Sequence, residues 1–385
     1  MGKIINATNN VYDTKNNLLS TTDAESHVKA YTYFPNGQVK TIAVDNVPTG
    51  SFAYDLTGNL TQQIDANGVP TTYTYDANGN KKTQKVTRTL PNGTLQDLLT
   101  LYDYDANDRL IKSTYADGSF TQIKYNAIGK QSDVIDQLNR TTHFDYDTQG
   151  RLSKTTYPDA TFEVSGYDLE GRRISFQDRG LHVTTYDYDE IGRLTKTHFP
   201  DLSFTETVYD TASRVSDTFD QLRHQTHFDY DDADRRSKVT DAAGKATAFA
   251  YDNVGNQTSM TDALQHTTTF VYDRLGRRTQ TIYQDQSASL EHYDFLGRMD
   301  SRTDQAGKVT QFGFDTVGRL TSVTQTLNSL PLVTRYGYDE IGERISQTDA
   351  NGHVTTFAYD QLGRRTVRTL PVGQSESYVT IWPAT

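Results

Sequence analysis

The chain has 385 residues, 38 Lys and Arg against 49 Asp and Glu, a formal net charge of −11 and no cysteine. That charge argues against nucleic acid or an anionic membrane as partner, and the lack of cysteine excludes disulfides, thiolate catalysis and cysteine–zinc sites. Only 35% of residues are apolar, too few aliphatics for a thick core. The 25 tyrosines against 3 methionines suit an extended sheet held by ring packing, turn hydrogen bonds and a main-chain ladder.

At the start, residues 1–6 contain no apolar core of signal-peptide length, and no window of the chain approaches a membrane span. Repeats begin at Tyr12 and continue almost to the last residue, with little sequence for the polar caps a free-standing array requires. The expectation is therefore export by another route, or a piece of a longer chain. Secretion or display at a cell surface is the expected location.

The repeat has a step of 21 residues and is counted on an aromatic anchor, first Tyr12 and last Tyr359, in seventeen copies. Its clearest forms are Tyr146-Asp147-x-x-Gly150-Arg151, Tyr167-Asp168-x-x-Gly171-Arg172, Tyr188-Asp189-x-x-Gly192-Arg193 and Tyr272-Asp273-x-x-Gly276-Arg277. Aspartate follows the anchor in fifteen copies and glycine stands four places after it in thirteen. An aspartate at the first position of a type I turn accepts the N–H two residues on, and a glycine after the turn takes the left-handed conformation of a G1 bulge. Each motif is a predicted hairpin tip. Asn16, Asp108, Ser213 and Asp234 replace the glycine, and Asn and Asp are the residues that best tolerate positive φ after glycine.

Around each tip the residues alternate with period two, as in Thr355-Thr356-Phe357-Ala358-Tyr359, which predicts strands. A second run such as Leu152–Tyr157 ends at a Pro-Asp or Asp-x-x-Gly turn. Each unit is thus two strands and two turns, with no helix. Taken in order, the first three units are loose, and Tyr33-Phe34-Pro35-Asn36-Gly37 is the most divergent tip. Longer hairpins are expected near 82–101 and 322–336. The sequence Arg88-Thr89-Leu90-Pro91-Asn92-Gly93 inside the first returns near the end as Arg368-Thr369-Leu370-Pro371-Val372-Gly373, in an atypical stretch, 366–385. Between about 104 and 220 a 42-residue period appears, with aromatic-x-Asp turns at Tyr115, Tyr157 and Phe199 alternating with turns at Asp136, Asp178 and Asp220.

Spacing, the Tyr-Asp-x-x-Gly-Arg tip and the second turn together resemble the RHS or YD repeat family. The resemblance runs from about Tyr12 to Tyr359 and implies an all-β array of antiparallel hairpins, a curved or spiral sheet that is part or all of a hollow shell. Such shells occur in the cocoon of bacterial tripartite toxin complexes, in Rhs toxins and in the teneurin barrel. The resemblance implies a non-enzymatic scaffold that encloses or presents a toxin or effector. Departures limit it: nothing after Tyr359 matches the Asp-Pro-x-Gly-Leu motif of self-cleaving members, and no tail of cargo length is present.

Site chemistry is weak. No HExxH, GxSxG or P-loop pattern occurs. Of the nine histidines, His143 and His227 lie three before an anchor, and His182, His224, His266 and His353 six before. Such regular placement reads as a surface habit of the repeat, with no catalytic residue and no cofactor expected. Carboxylates at Asp103/Asp105/Asp108, Asp187/Asp189/Glu190 and Asp229/Asp231/Asp232/Asp234 fit no known calcium spacing and read as turn caps, with no metal expected. Arginine follows the tip in ten copies, placed to lie over the next ring or to pair with the motif aspartate. Expected partners are adjoining segments of a larger polypeptide or a cargo, with self-association through sheet edges. The alternative is surface adhesion or glycan binding through ring stripes, decided by whether Phe228, Phe249 and Phe270 are covered or line an open groove.

Overall fold

The computed structural model describes residues 8–378. Strands β1 (Asn9–Tyr12) to β35 (Ser375–Ser377) form one unclosed antiparallel sheet of 35, and the described residues contain no helix. Pairing runs between sequence neighbours. In a representative hairpin, β13 (Thr141–Tyr146) faces β14 (Leu152–Thr156) with His143 opposite Thr156 and Tyr146 opposite Leu152, and the register shifts between Asp145 and Tyr146. The shift comes from the turn. The Asp147 N–H donates to the Arg151 carbonyl at 2.9 Å, the Gly150 N–H donates to the Asp147 carbonyl at 2.9 Å, and Gly150 has φ 77°. This is the predicted bulged tip.

The non-glycine tips obey the same geometry, with φ 66° at Asn16, 57° at Asp108, 67° at Ser213 and 61° at Asp234. On the opposite edge the residue rule fails. Ala160, Leu181, Leu202, Arg223, Gln265 and Gln286 hold φ between 64° and 69°, in a region that costs a residue with a Cβ about 1–2 kcal/mol. Two main-chain bonds fix each of these turns: the Asp178 N–H donates to the His182 carbonyl and the Leu181 N–H to the Asp178 carbonyl, both at 3.0 Å. The preference for glycine, Asn or Asp expected at the tips does not extend to this edge, where the hydrogen-bonded loop overrides side-chain preference.

Of the expected longer hairpins, the first is β8 (Lys81–Thr89) with β9 (Leu95–Tyr104) and the second is β30 (Leu320–Leu327) with β31 (Leu330–Tyr338). The second closes on Asn328-Ser329 with φ 49° and 67°, a two-residue turn of the type that matches strand twist. In the stretch 366–385, residues Arg365–Thr369 and Ser375–Ser377 pair as a hairpin, and 379–385 lie outside the described residues.

Among the described residues only two apolar side chains are buried, Ile135 and Phe357. The accessible surface is 23603 Å² for 43.3 kDa, where a compact monomer of that mass exposes about 15,000 Å². All strands of the described residues belong to that one sheet. Stability therefore rests on the ladder, the turns and half-buried rings.

Two compact units divide the chain, one holding 1–120 with 271–385 and the other 121–270. Within the first unit its two segments meet turn to turn. The Glu25 carboxylate accepts the Arg274 N–H at 2.8 Å, the Thr316 hydroxyl donates to the Ala66 carbonyl at 2.9 Å, and the Asn67 amide donates to Asp315 at 3.3 Å. The Thr89 N–H donates to Glu340 at 2.7 Å. These partners lie 248 to 251 residues apart. The near-constant offset shows one edge of the first segment laid along the other edge of the last.

Candidate functional site

Each tip that carries the arginine is a relay to the next unit. The Asp147 Oδ1 accepts the N–H groups of Gln149 and Arg151, both at 2.9 Å, while Oδ2 accepts the Arg151 Nε–H at 2.7 Å. The Arg151 backbone bond, opposed by burial and assisted by its side chain, holds the Asp147 carboxyl below the usual carboxylate range. Arg151 then lies over the Tyr167 ring, 4.7 Å from its centroid, and donates to the Asp168 carbonyl at 2.8 Å. Both expected roles of the arginine occur at once.

The pattern recurs at the other named motifs. Arg172 Nε donates to Asp168 at 2.6 Å and lies over Tyr188, Arg193 to Asp189 at 2.7 Å and over Tyr209, and Arg277 to Asp273 at 2.6 Å and over Tyr293. Gly171, Gly192 and Gly276 hold φ 88°, 87° and 76°. The anchor hydroxyls reach back to main-chain carbonyls: Tyr146 to Gln131 at 2.8 Å, Tyr167 to Leu152 at 2.9 Å and Tyr188 to Arg173 at 2.8 Å. Tyr272 ends the strand Thr267–Tyr272. Ring, guanidinium, carboxylate and carbonyl thus run along one edge from unit to unit.

On the opposite edge histidine takes the arginine's place, with Nδ1 of His182, His224, His266 and His353 on the turn aspartate four residues earlier, at 2.9–3.2 Å. His143 sits between Asp133 at 2.8 Å and Asp145 at 3.2 Å, and the Asp133 bond chiefly raises its pKa. His227 repeats this between Asp217 at 2.7 Å and Asp229 at 3.4 Å. The sequence's acidic clusters are dispersed among such partners: Asp105 with Arg109, Asp108 with Asn78 and Asn80, Asp187 with His198, Asp231 with Arg235 and Asp234 with Arg214. No three acidic or histidine side chains of the described residues converge on a metal-sized space. Phe228, Phe249 and Phe270 are half-buried, and Arg236 lies 4.6 Å over Phe228.

One site departs from the repeat. The tip Tyr338-Asp339-Glu340-Ile341-Gly342-Glu343 has Glu343 where ten copies have arginine. The guanidinium arrives instead from the long hairpin 81–104. Arg88, 3% exposed, donates through Nη1 to Glu343 at 2.5 Å, with Asp339 3.8 Å away. Its Nη2 donates to the carbonyls of Asp360 at 3.0 Å and Tyr359 at 3.3 Å, and its Nε to Gln96 at 2.8 Å. A repeat arginine makes a comparable pair of bonds, one to a carboxylate of its tip and one to the next unit: Arg319 donates to Asp315 at 2.5 Å and to the Asp339 carbonyl at 2.6 Å. Arg88 therefore fills, from 255 residues away, the slot that the tip leaves empty.

Beside this clasp Leu90, Pro91, Ile345 and Phe357 line a cavity of about 280 Å³ together with Arg88, Asp339 and Glu343. Phe357 is 5% exposed, the most covered apolar side chain of the described residues. Burial pushes the Glu343 carboxyl up to about 7, with Arg88 opposing and Asp339 adding to the rise. Two carboxylates share one guanidinium, and Glu343 Oε1 is buried without a hydrogen-bond partner. Sequence reasoning missed the clasp. The signals were a glutamate at an arginine position and an eight-residue insertion, which have meaning only together.

A model of the teneurin YD-shell matches residues 202–370, and a model of the RHS repeat matches 54–94 and 125–161. No curated protein matches by sequence. Among solved structures, a crystal structure of TcdB2-TccC3-Cdc42 is similar with TM-score 0.76 at 14% identity, over 96% of this chain and 24% of that one. A TcdB2-TccC3 crystal structure follows at TM-score 0.69, 14% identity, 96% and 25%. The Tc holotoxin pore of Photorhabdus luminescens, with a mutated TccC3, gives 0.67, 14%, 96% and 24%. The chain spans about a quarter of the length of the solved chains it matches. Both models fall on stretches built of these tips, so residues 54–94, 125–161 and 202–370 carry repeats of the RHS and YD-shell type.

Proposed function

We propose that the whole chain is one repeat array serving as wall, a non-enzymatic segment of an exported bacterial RHS-type shell that encloses or presents a toxin or effector. The observation that carries this reading is the seam of the first unit, where turns some 250 residues apart meet at a constant offset. A sheet with both faces wet and little core is suited to bounding a space rather than to shaping a pocket. Among the described residues the tip aspartates and most histidines serve as turn caps and cross-strand partners, which supports a structural use of these groups. The similarity to toxin-complex structures supports a cargo and adjoining segments as partners, and secretion as the setting.

The test joins the chain, in its native polypeptide, to whatever follows it. A downstream domain that resists protease while joined to the intact array, and is digested when the array is unfolded, supports the wall. Equal digestion in both states overturns it. Turnover by the purified chain that one histidine or carboxylate substitution abolishes would overturn the non-enzymatic part.

A further inference from the structure

The seam of the first unit joins two kinds of edge, and its step is that of the repeat. Turns at Asp23 and Asp65 lie against tips at Asp273 and Asp315, so turns two units apart meet tips two units apart. Between them the His27 ring stands 6.5 Å from the ring of Phe295, on the intervening tip, and Thr89 reaches Glu340 one unit further on. The seam leaves a mark on the side chain just before the tip glycine. Leu275, Leu296 and Ile341 hold that position, next to the seam residues Arg274, Phe295 and Glu340, and all three are half-buried. Val317, next to Thr316, is 40% exposed.

The same two edges continue through the unit 121–270, and there they are bare. At the tip position that the seam covers, Ile128, Ile191 and Val254 are 64%, 71% and 51% exposed. On the turn edge Leu202, Leu222 and Leu264 are 90%, 77% and 74% exposed. Single exposed leucines are ordinary, but these recur along edges whose counterparts in the seam are covered. The seam's offset of 248 to 251 residues carries Leu202, Leu222 and Leu264 beyond residue 385, and Ile128 and Ile191 before residue 1. One copy therefore cannot cover them as it covers its seam, whereas a second copy can.

We propose that these edges form a head-to-tail interface between copies of this chain, with the turn edge of one copy at Leu202, Leu222 and Leu264 seated on the tip edge of the next at Ile128, Ile191 and Val254. The occupant follows from continuity with the seam. A second copy brings an edge of the opposite kind with the same unit step, so turns and tips meet in register. It also brings the polar groups that the seam uses. Thr148 and Thr211 hold the tip position from which the Thr316 hydroxyl donates, and Ala242 and Ala263 hold the turn position of Ala66, whose carbonyl accepts that bond. Apolar side chains that each copy leaves in water are covered when the edges meet. Because the two faces differ, every docked copy still offers one open edge of each kind, and association does not close at the dimer. The inference uses the geometry of the seam and not the wall reading, and holds whether or not the array encloses a cargo.

Sedimentation velocity of the chain, from low to tens of micromolar, should show a weight-average mass that rises with concentration past twice the 43.3 kDa of one copy. A turn-edge variant combining Leu202→Lys, Leu222→Lys and Leu264→Lys should sediment as a monomer. So should a tip-edge variant combining Ile128→Lys, Ile191→Lys and Val254→Lys. Mixed together, the two variants should form a dimer and stop there, because each supplies the edge that the other lacks. The altered side chains face solvent in the single copy, and circular dichroism establishes that the sheet persists in both variants. A parent chain that stays monomeric over this range would overturn the proposal and assign the edges to another occupant, such as adjoining repeats. Association that survives in either variant alone, as turn-on-turn or tip-on-tip contact would, overturns it too, as does a mixture that stays monomeric.

Discussion

Where a tip carries arginine, the two oxygens of its aspartate have separate tasks: one caps main-chain N–H groups and the other holds the arginine. The glycine three residues on is there for its backbone alone. Space is not the constraint at Gly171, where an added Cβ would meet only the end of the Arg151 side chain at 3.7 Å. Gly171→Val should nevertheless cost about 1–2 kcal/mol through its φ of 88°, read as a lowered denaturation midpoint. By the same reasoning Leu181→Gly, at φ 64°, should cost nothing or stabilise. Arg88→Ala is the severe case. Removing one partner of a buried ion pair costs about 3–5 kcal/mol, and the low end applies because Glu343 can take up a proton.

Glu343 also sets a pH dependence. Its folded pKa, about 7, lies above the ordinary glutamate value of about 4.3, so the folded state binds more protons between those limits. Its contribution is complete below the unfolded pKa and is lost as pH rises through 7. Denaturant titrations between pH 4.5 and 8 should show the first unit weakening with rising pH, and Glu343→Gln should flatten that slope. Tip aspartates act in the opposite sense. Asp55, held near 2 chiefly by the Thr57 hydroxyl, contributes above the unfolded value and loses that contribution as pH falls through 2.

At the scale of the element, the hairpin was legible in the sequence because turn chemistry and period-two alternation agree within every unit, from Tyr146-Asp147 to Tyr359-Asp360. What escaped were features that depend on something outside the unit. Leucine at a left-handed position, as at Leu181 and Leu202, is set by the loop's main-chain bonds rather than by its side chain. Arg88 and Glu343 look unrelated along the chain because nothing local fixes an offset of 255 residues. The tyrosine link between units is testable alone. Tyr188→Phe removes the 2.8 Å bond to the Arg173 carbonyl and should cost about 0.5–1.5 kcal/mol, while Arg172 stays over the ring.

Across the molecule, only two apolar side chains of the described residues are buried, so unfolding exposes less new hydrocarbon than it does in a compact domain of the same mass. Calorimetry should give a heat-capacity increment below the roughly 12–15 cal/mol/K per residue of ordinary domains. Repeats that touch only their neighbours unfold as a sum of local terms, so the transition should be broad, with the first unit's seam melting as its own step. A single sharp transition with an ordinary heat-capacity increment would contradict this account.

The thin interior has a consequence for how the chain bears substitution. In a domain with a packed core, damage concentrates in strand residues that point inward. Here almost every strand side chain borders water, so exchanges of similar size along the strands should pass with little effect, and sensitivity should collect at the turns. A saturation scan read by surface expression would then show a pulse about every ten residues, one per turn. That rhythm should break at Arg88, Asp339 and Phe357, where the array has something resembling an inside.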